Sequence, residues 1–285
     1  MTWGIDYARV DGNKHPIDFK AAYAAGCRFA ILRGAWGTVV DTIVRRDAQR
    51  LRDAGIPVGA YLFLRCPTKK QPVADPETQA RTLIASVGAW EPGDLPPTLD
   101  VEFPGVLGRK ETTLSARQAI EWCERAYDTL RQVYPTVMIY TSARVWREDL
   151  VDLPSYMGAG PLWLKTPYYW KAGRPYDTSR RTMSPDLPEP WVNGMNEQGA
   201  WFQQIQGDAI GVPGFSSTTD INLFIPMQFG EKSRRVRFVQ RCVKTKVIDG
   251  DFGPKTEAAL RSFQMENRLP ATGVVDVATF AALCS

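Results

Sequence analysis

The chain has 285 residues, of which 44% are hydrophobic, so it is long and apolar enough to fold and is neither disordered nor fibrous. No apolar run reaches membrane-spanning length, and the N-terminus lacks a basic segment followed by an apolar core, so neither a membrane protein nor a secretory signal is expected. The net charge of +4 lies in the tail, because the residues from Glu231 onward contain 10 Lys and Arg against 6 Asp and Glu. Such a tail favours an anionic partner, but it lacks the interleaved aromatics typical of nucleic-acid binding.

Short, β-rich apolar runs alternate with helical patterns before this tail. Eight strands are predicted, at 2–8, 27–34, 57–64, 98–103, 137–142, 161–166, 200–206 and 219–224. The alternation indicates a mainly parallel sheet, and eight strands favour an irregular (β/α)8 barrel of the TIM type over a doubly wound open sheet. The open sheet would need a glycine-rich phosphate turn, and "DYARVDG" is not one. The segment 166–199 is rich in Pro, Gly and aromatics and is predicted to form long loops.

The helices between the early strands carry start signals. Pro16 stands near the first turn of the first predicted helix, and Asp75 before Pro76 predicts an N-cap. Ser115 and Gln118 have the spacing of a capping box. These signals fix where the helices between the strands are expected to begin.

A short polar joint at 227–237 separates two predicted domains, 1–228 and 229–285. The second is predicted to be a small all-α domain of three short helices. Its segments "IDGDFGPKT" and "LPATGVVDVAT" form a turn-then-helix pattern that occurs twice. So small a unit without an acid–base cluster favours a binding role.

The five cysteines are scattered and lack a CxxC spacing, so they are expected to be reduced and mostly buried, with a Cys242–Cys284 bridge left open. His15 is the only histidine, which argues against a zinc hydrolase. A Ser-His-Asp triad or a Cys-His pair would need His15 itself. No metal and no cofactor are expected.

Two carboxylates stand two residues apart in "LPPTLDVEFPG", which places Asp100 and Glu102 on one face of a strand end. Asp6 ends the first predicted strand and Asp220 opens the eighth. The first and eighth strands are neighbours in a closed barrel, so these acids are expected to converge at one mouth. A Mg²⁺ or Ca²⁺ site or glycoside hydrolysis would each explain such a cluster.

Aromatic residues at or near the predicted strands favour the carbohydrate explanation, because sugar rings stack on aromatic faces. The aromatics are Trp36, Tyr61, Phe103, Tyr140, Trp163 and Trp201. Any one of them could equally be a core residue. The predicted substrate-binding set is Tyr61, Phe103, Tyr140, Trp163, Trp36 and Gln204.

Seven sequence blocks follow one another along the chain: "WGIDYARVDG", "GCRFAILRGAWGTVVD", "AGIPVGAYLF", "LPPTLDVEF", "IYTSARVW", "PLWLKT" and "WFQQIQ…TTDINLF". Together they resemble the glycoside hydrolase family 25 lysozymes over about residues 2–226. Separately, "FVQRCV…IDGDFGPKTEAALRSFQMENRLPATGVVDVATFAAL" is similar to the helical peptidoglycan-binding module of wall hydrolases, over about 234–284. The first resemblance implies an irregular barrel that cleaves the N-acetylmuramic acid–N-acetylglucosamine β-1,4 bond of peptidoglycan.

The resemblance also implies roles for the acids. Glu102 matches the family's general acid, Asp100 and Asp6 match the supporting carboxylates, and Asp220 matches the acid of the last strand. The chain departs from the family pattern at Ala8, where Ser is common. It departs again at Leu62, where His is frequent, and in "KTPYYW", where a shorter Ala-Tyr pattern is usual.

The resemblance implies a monomeric, modular lysozyme whose partner is bacterial peptidoglycan, with neither nucleic acid nor membrane as partner. Its layout resembles a bacteriophage endolysin, made in the host cytoplasm and released to the wall through a membrane hole. Two alternatives stay open. One is a chitinase or glucosaminidase that uses the same acids, and the other is a catalytically inactive wall-binding or virion protein.

Overall fold

The computed structural model describes residues 2–8, 17–87, 90–102, 112–142, 145, 154–158, 160–165, 173–177 and 200–285. The strands in these ranges are β1 (Thr2–Tyr7), β2 (Cys27–Trp36), β3 (Val39–Val40), β4 (Val58–Phe63), β5 (Thr98–Val101), β6 (Met138–Ser142), β7 (Leu162–Lys165), β8 (Phe202–Ala209) and β9 (Thr219–Phe224). The helices are α1 (Phe19–Ala24), α2 (Ile43–Asp53), α3 (Pro76–Val87), α4 (Ala116–Arg131), α5 (Ser155–Gly158), α6 (Arg234–Cys242), α7 (Pro254–Glu266) and α8 (Val277–Cys284). None of these helices is long and apolar enough to cross a membrane.

Eight of the strands form a closed barrel, as predicted. Strand β1 pairs with both β2 and β9, and the remaining neighbours follow in the order β2, β4, β5, β6, β7, β8, β9. The pairs from β1–β2 to β7–β8 are parallel, whereas β9 is antiparallel to both β8 and β1. The two-residue β3 pairs antiparallel with the last two residues of β2 and is not one of the eight barrel strands.

The direction of β9 decides where its first residues lie. A parallel eighth strand would place its N-terminal residues at the opposite end of the barrel from the C-terminal end of β1. Because β9 is antiparallel, Asp220 instead pairs directly with Asp6. The connection 210–218 contains turns and no helix, which makes the barrel irregular as the sequence predicted.

The predicted helix starts are found with one adjustment. The Oδ1 atom of Asp75 accepts a hydrogen bond from the backbone N–H of Thr78 at 2.8 Å, just before α3. Ser115 and Gln118 form the capping box of α4. Helix α1 begins at Phe19, because Asp18 is its N-cap. Pro16 and His15 lie outside the described residues, as does most of the predicted 166–199 loop region.

The tail folds into the three predicted helices α6, α7 and α8 and packs beneath the barrel. The contact is at the N-terminal ends of the parallel strands, where one buried cluster contains residues of both parts. The ring of Phe280 from α8 lies 4.7 Å from that of Trp201 and 5.7 Å from that of Phe224, measured between centroids. All five cysteines are free, so Cys242 and Cys284 do not form the bridge that the sequence left open.

Candidate active site

A cavity of about 200 Å³ opens at the C-terminal ends of the parallel strands. Its wall contains all four carboxylates singled out from the sequence, Asp6, Asp100, Glu102 and Asp220. The other lining residues are Tyr7, Ala8, Arg33, Tyr61, Phe63, Tyr140, Trp163, Lys165, Gln204 and Asp208. The structure therefore brings the four acids to one site, while their chemical roles stay predictions.

Only part of the predicted sugar-binding set lines this cavity. The members that do so are Tyr61, Tyr140, Trp163 and Gln204. Trp36, the last residue of β2, does not line the cavity; it follows a register shift and is 40% exposed. The guanidinium of Arg65 covers its ring at 4.0 Å. Phe103 lies outside the described residues, and Trp201 is buried at the other end of the barrel.

Asp100 and Glu102 reach the cavity from the end of β5. Asp100 is buried, and its Oδ1 atom has no hydrogen-bond partner among the described residues. Burial raises the pKa of Asp100, and the charges of Glu102 and Asp6 raise it further. Glu102 is more accessible, with 19% of its side chain exposed and its Oε2 atom 3.4 Å from Nζ of Lys165. The pair combines a buried carboxyl whose pKa is raised with an accessible carboxyl beside the cavity.

Asp6 and Asp220 are joined by the side-chain amide of Gln204. Its Nε2 atom donates to Oδ2 of Asp6 at 3.1 Å and to Oδ2 of Asp220 at 2.8 Å. The hydroxyl of Tyr140 donates to Oε1 of Gln204 at 2.8 Å and thereby fixes the orientation of the amide. Burial and the charge of Glu102 raise the pKa of Tyr140, so this hydroxyl stays a neutral donor.

Asn222 provides a second amide on the same strand face as Asp220. Its Nδ2 atom donates to Oδ2 of Asp6 at 2.7 Å, while its Oδ1 atom accepts from Nε1 of Trp163 at 2.8 Å. Two amides therefore donate to one carboxylate oxygen of Asp6. These hydrogen bonds hold the carboxylate of Asp6 in place at the cavity wall.

The sequence analysis missed the polar residues Arg33, Lys165 and Asn222, and also the lining residues Tyr7, Phe63 and Asp208. Arg33 lines the cavity and bonds Oδ2 of Asp41 at 3.1 Å. Strand alternation could have found Lys165 and Asn222, because Lys165 follows Trp163 by two positions and Asn222 follows Asp220 by two. What no pattern reveals is that their polar groups contact the acids.

A group of four carboxyls around one cavity, one of them with a raised pKa, fits the chemistry of glycosidic bond cleavage. One protonated carboxyl can serve the leaving oxygen, and ionised carboxylates can stabilise an oxocarbenium-like transition state. A divalent cation was the other explanation for the cluster. Among the described residues, no group of three or more His, Cys, Asp or Glu side chains is placed to hold a metal ion.

Comparison with known proteins agrees with both resemblances seen in the sequence. The model of the "Glycosyl hydrolases family 25" matches residues 5–184, and that of the "Putative peptidoglycan binding domain" matches residues 240–283. The first match ends before β8, so Gln204 and Asp220 lie beyond it. None of the curated proteins matches the sequence.

Solved structures share the fold at low sequence identity. A lysozyme from Streptomyces coelicolor is 22% identical with a TM-score of 0.54, and the match covers 78% of this chain and 91% of that one. A family 25 glycosyl hydrolase from Bacillus anthracis is 20% identical with a TM-score of 0.56, covering 79% and 88%. The catalytic domain of endolysin ply40 from bacteriophage P40 of Listeria monocytogenes is 17% identical with a TM-score of 0.55, covering 79% and 93%.

Proposed function

The chain belongs to glycosyl hydrolase family 25, and from this premise we propose that it is a lysozyme of the N-acetylmuramidase type. Its substrate is peptidoglycan, and it cleaves the β-1,4 bond between N-acetylmuramic acid and N-acetylglucosamine. The observation that carries the proposal is the grouping of Asp6, Asp100, Glu102 and Asp220 around one cavity. Similar structures described as lysozyme and muramidase add support.

In this mechanism Glu102 is the general acid, since it is the accessible member of the pair on β5. The raised pKa of Asp100 keeps a proton within the pair, because two adjacent carboxyls resist ionising together. The proton passes to the leaving oxygen as the bond between that oxygen and the anomeric carbon breaks. Water then adds to the anomeric carbon and returns a proton to the enzyme.

The positive charge that develops on the sugar needs a partner on the opposite side. Asp6 and Asp220, held by Gln204, are candidates, and so is the 2-acetamido group of the substrate itself. Tyr61 lines the cavity beside the acids and is half-buried, so its ring can contact the sugar, while the buried Trp163 packs against it at 6.3 Å between ring centroids. Tyr61 would thus position the glycan.

We assign residues 1–228 to the catalytic part and 229–285 to a part that binds the wall, supported by the second family match. The modular layout and the likeness to an endolysin catalytic domain support a phage endolysin. In that role the protein would be made in the host cytoplasm, reach the wall through a membrane hole and act as a monomer. A glucosaminidase or chitinase and an inactive wall-binding protein are the alternatives that the following experiment separates.

The test is digestion of purified peptidoglycan, followed by borohydride reduction and mass spectrometry of the products. We expect reduced muramic acid ends from the parent protein. Glu102→Gln should lower the rate by about 10²–10⁴-fold, because it removes the transferable proton. Glu121→Gln, which changes an exposed carboxylate on α4, is the matched control and should digest the wall at the parent rate.

Two outcomes would overturn the assignment. Reduced glucosamine ends would show that the other glycosidic bond is cut and would favour the glucosaminidase. No new reducing ends, with the protein still sedimenting on the wall, would leave a binding protein. Full activity of Glu102→Gln would remove Glu102 from the role of acid.

A further inference from the structure

The tail contains a cavity that the catalytic mechanism does not use. Its volume is about 530 Å³, within the range of sites that bind small molecules or short peptides. One wall is formed by Lys232 and Ser233, just before α6, and by Arg234 and Arg237 of that helix. The other wall is the turn 249–251. This turn belongs to the first of the two turn-then-helix segments found in the sequence.

The two segments are a structural repeat organised around two buried glutamines. The Oε1 atom of Gln240 accepts from the backbone N–H of Gly250 at 2.9 Å, and Gln264 accepts from Gly273 at the same distance. Both glycines have positive φ angles, 84° and 70°. Each half of the tail can therefore be compared with the other, position by position.

The repeats differ at the arginine that precedes each glutamine by three residues. In the second repeat, Arg261 donates to Oε1 of Glu257 from Nε at 3.1 Å and from Nη2 at 2.7 Å, and it also bonds the carbonyl of Ala271. In the first repeat, Ser233 occupies the position of Glu257, four residues before the arginine. Arg237 therefore lacks the carboxylate that its counterpart holds.

Arg237 is exposed and faces the cavity. Its Nε and Nη2 atoms make two long hydrogen bonds, 3.4 Å each, to the backbone carbonyl of Asp249. The two nearby acids are already engaged. Asp249 accepts from Nε2 of Gln240 at 2.8 Å and from the backbone of Asp251 at 2.9 Å, and Asp251 pairs with Lys232 at 2.9 Å. Lys232, Arg234 and Arg237 are the cations of the cavity wall, and the guanidinium of Arg237, which pairs with no carboxylate of the described residues, can bind an anion that enters.

We propose that this cavity binds a free carboxylate of a peptidoglycan stem peptide. Arg237 would donate to this carboxylate as Arg261 donates to the carboxylate of Glu257. The proposal rests on the function proposed above, and it names which part of the wall the tail recognises. The N-acetylated glycan offers few charges, whereas the stem peptides carry carboxylates. A carboxylate matches the fork of a guanidinium, which forms two parallel hydrogen bonds to it.

The repeat supplies both a disruptive variant and a control. Arg237→Gln removes the guanidinium, and Ser233→Glu gives Arg237 the internal carboxylate that Arg261 has. Ser233 makes no capping hydrogen bond with its side chain, so this change removes no helix cap; it removes one hydrogen bond, from the Ser233 hydroxyl to Oε1 of Glu231 at 2.8 Å. Arg261→Gln is the matched control, because it removes the arginine whose carboxylate partner is already internal.

The experiment measures binding of the full-length protein to a synthetic stem tetrapeptide with free carboxylates and to the same peptide with every carboxyl amidated. We expect the amidated peptide to bind about tenfold more weakly or worse, and both Arg237→Gln and Ser233→Glu to lose a similar factor for the free acid. Arg261→Gln should bind as the parent does. Melting temperatures of all four proteins confirm that each is folded at the assay temperature.

Equal binding of both peptides would overturn the proposal, and so would parental affinity of both disruptive variants. Binding to whole walls that disappears once the phosphate polymers are stripped off would also overturn it, in favour of a phosphate ligand. The digestion experiment is read separately. Peptide binding without wall cleavage would contradict the proposed muramidase activity and support the carboxylate site. Wall cleavage without peptide binding would support the activity and contradict the site.

Discussion

Asp100 occupies a costly position at the end of β5, buried and with an oxygen that accepts no hydrogen bond from the described residues. Its pKa is raised from 3.8 by burial and by the neighbouring acids. The folded protein therefore holds a proton that the unfolded chain has already released. As the pH rises above 3.8 toward the folded pKa, the free energy of unfolding falls, because the folded state binds more protons.

Asp100→Asn is expected to stabilise the protein at neutral pH while it removes a carboxyl from the site. Below pH 4 the two side chains are both neutral, so the melting temperatures should be similar. At higher pH the variant should gain at most about 1.4 kcal/mol per pH unit relative to the parent. Thermal unfolding between pH 3.5 and 7.5 measures this difference.

The control for that series is Asp53→Asn, which removes an exposed carboxylate at the end of α2. Its difference from the parent should not grow with pH. Parallel stability curves for the parent and Asp100→Asn would show that Asp100 carries no extra proton in the folded state.

At the scale of single residues, the sequence predicts the positions of the acids better than it predicts the contacts of the residues around them. Asp100 and Glu102 could be paired because strand alternation fixes the face of each side chain. Asn222 and Lys165 lie on predictable faces too, but their contacts depend on distances between strands far apart in sequence. Trp36 is placed away from the cavity by a register shift in β2, and a sequence pattern does not encode such a shift.

The two tail repeats show how one side chain can hold an element together. Gln264 is buried on α7, and its Nε2 atom donates to the carbonyl of Val274 at 2.9 Å and to the hydroxyl of Thr279 at 3.1 Å. Its Oε1 atom accepts from the backbone of Gly273. The amide thus joins α7 to the turn and to the first part of α8.

Gln264→Leu should destabilise the protein by roughly 2–4 kcal/mol, because it leaves the buried N–H of Gly273 and the partly buried carbonyl of Val274 without this partner. Urea unfolding followed by circular dichroism gives the number. Gln228→Leu, at an exposed position just before the tail, should change stability by less than about 0.5 kcal/mol. A loss for Gln264→Leu as small as that of the control would refute the role of the buried amide.

Element starts were predictable where a local signal exists, as with Asp75 before α3 and the Ser115–Gln118 capping box of α4. The direction of β9 could not be predicted from its residues, since the alternation of buried and exposed side chains is the same for a parallel and an antiparallel strand. Its connection from β8 spans only 210–218, which is too short for a helical crossover between parallel strands. Connection length is therefore the signal that could have predicted the antiparallel strand.

At the scale of the whole molecule, the tail closes the lower end of the barrel. Arg235 is buried there, pairs with Glu231 at 2.8 Å and donates to the carbonyl of Ile225 at 2.9 Å. Its guanidinium also lies 4.9 Å from the ring of Trp201. The proposed parts 1–228 and 229–285 therefore meet through a shared core as well as a linking peptide.

Phe280 is where this shared core can be tested. Its side chain is fully buried on α8, and its ring lies 4.7 Å from Trp201, 5.4 Å from Phe202 and 5.7 Å from Phe224. Phe280→Ala should cost about 3–5 kcal/mol, because it leaves a cavity that these rings cannot fill. Both parts line the cavity, so barrel and tail should be destabilised together.

The measurement is urea unfolding of Phe280→Ala, followed by tryptophan fluorescence and by the rate of wall digestion after dilution. One shared transition at a lower urea concentration is expected from both probes, since the tail cannot leave without exposing Trp201 and Phe224 to water. Phe229→Ala is the control, because Phe229 is 55% exposed and its loss leaves no internal cavity. Two separate transitions, with the barrel still active after the tail has unfolded, would mean that the two parts fold independently and that the shared cluster adds little to the stability of the barrel.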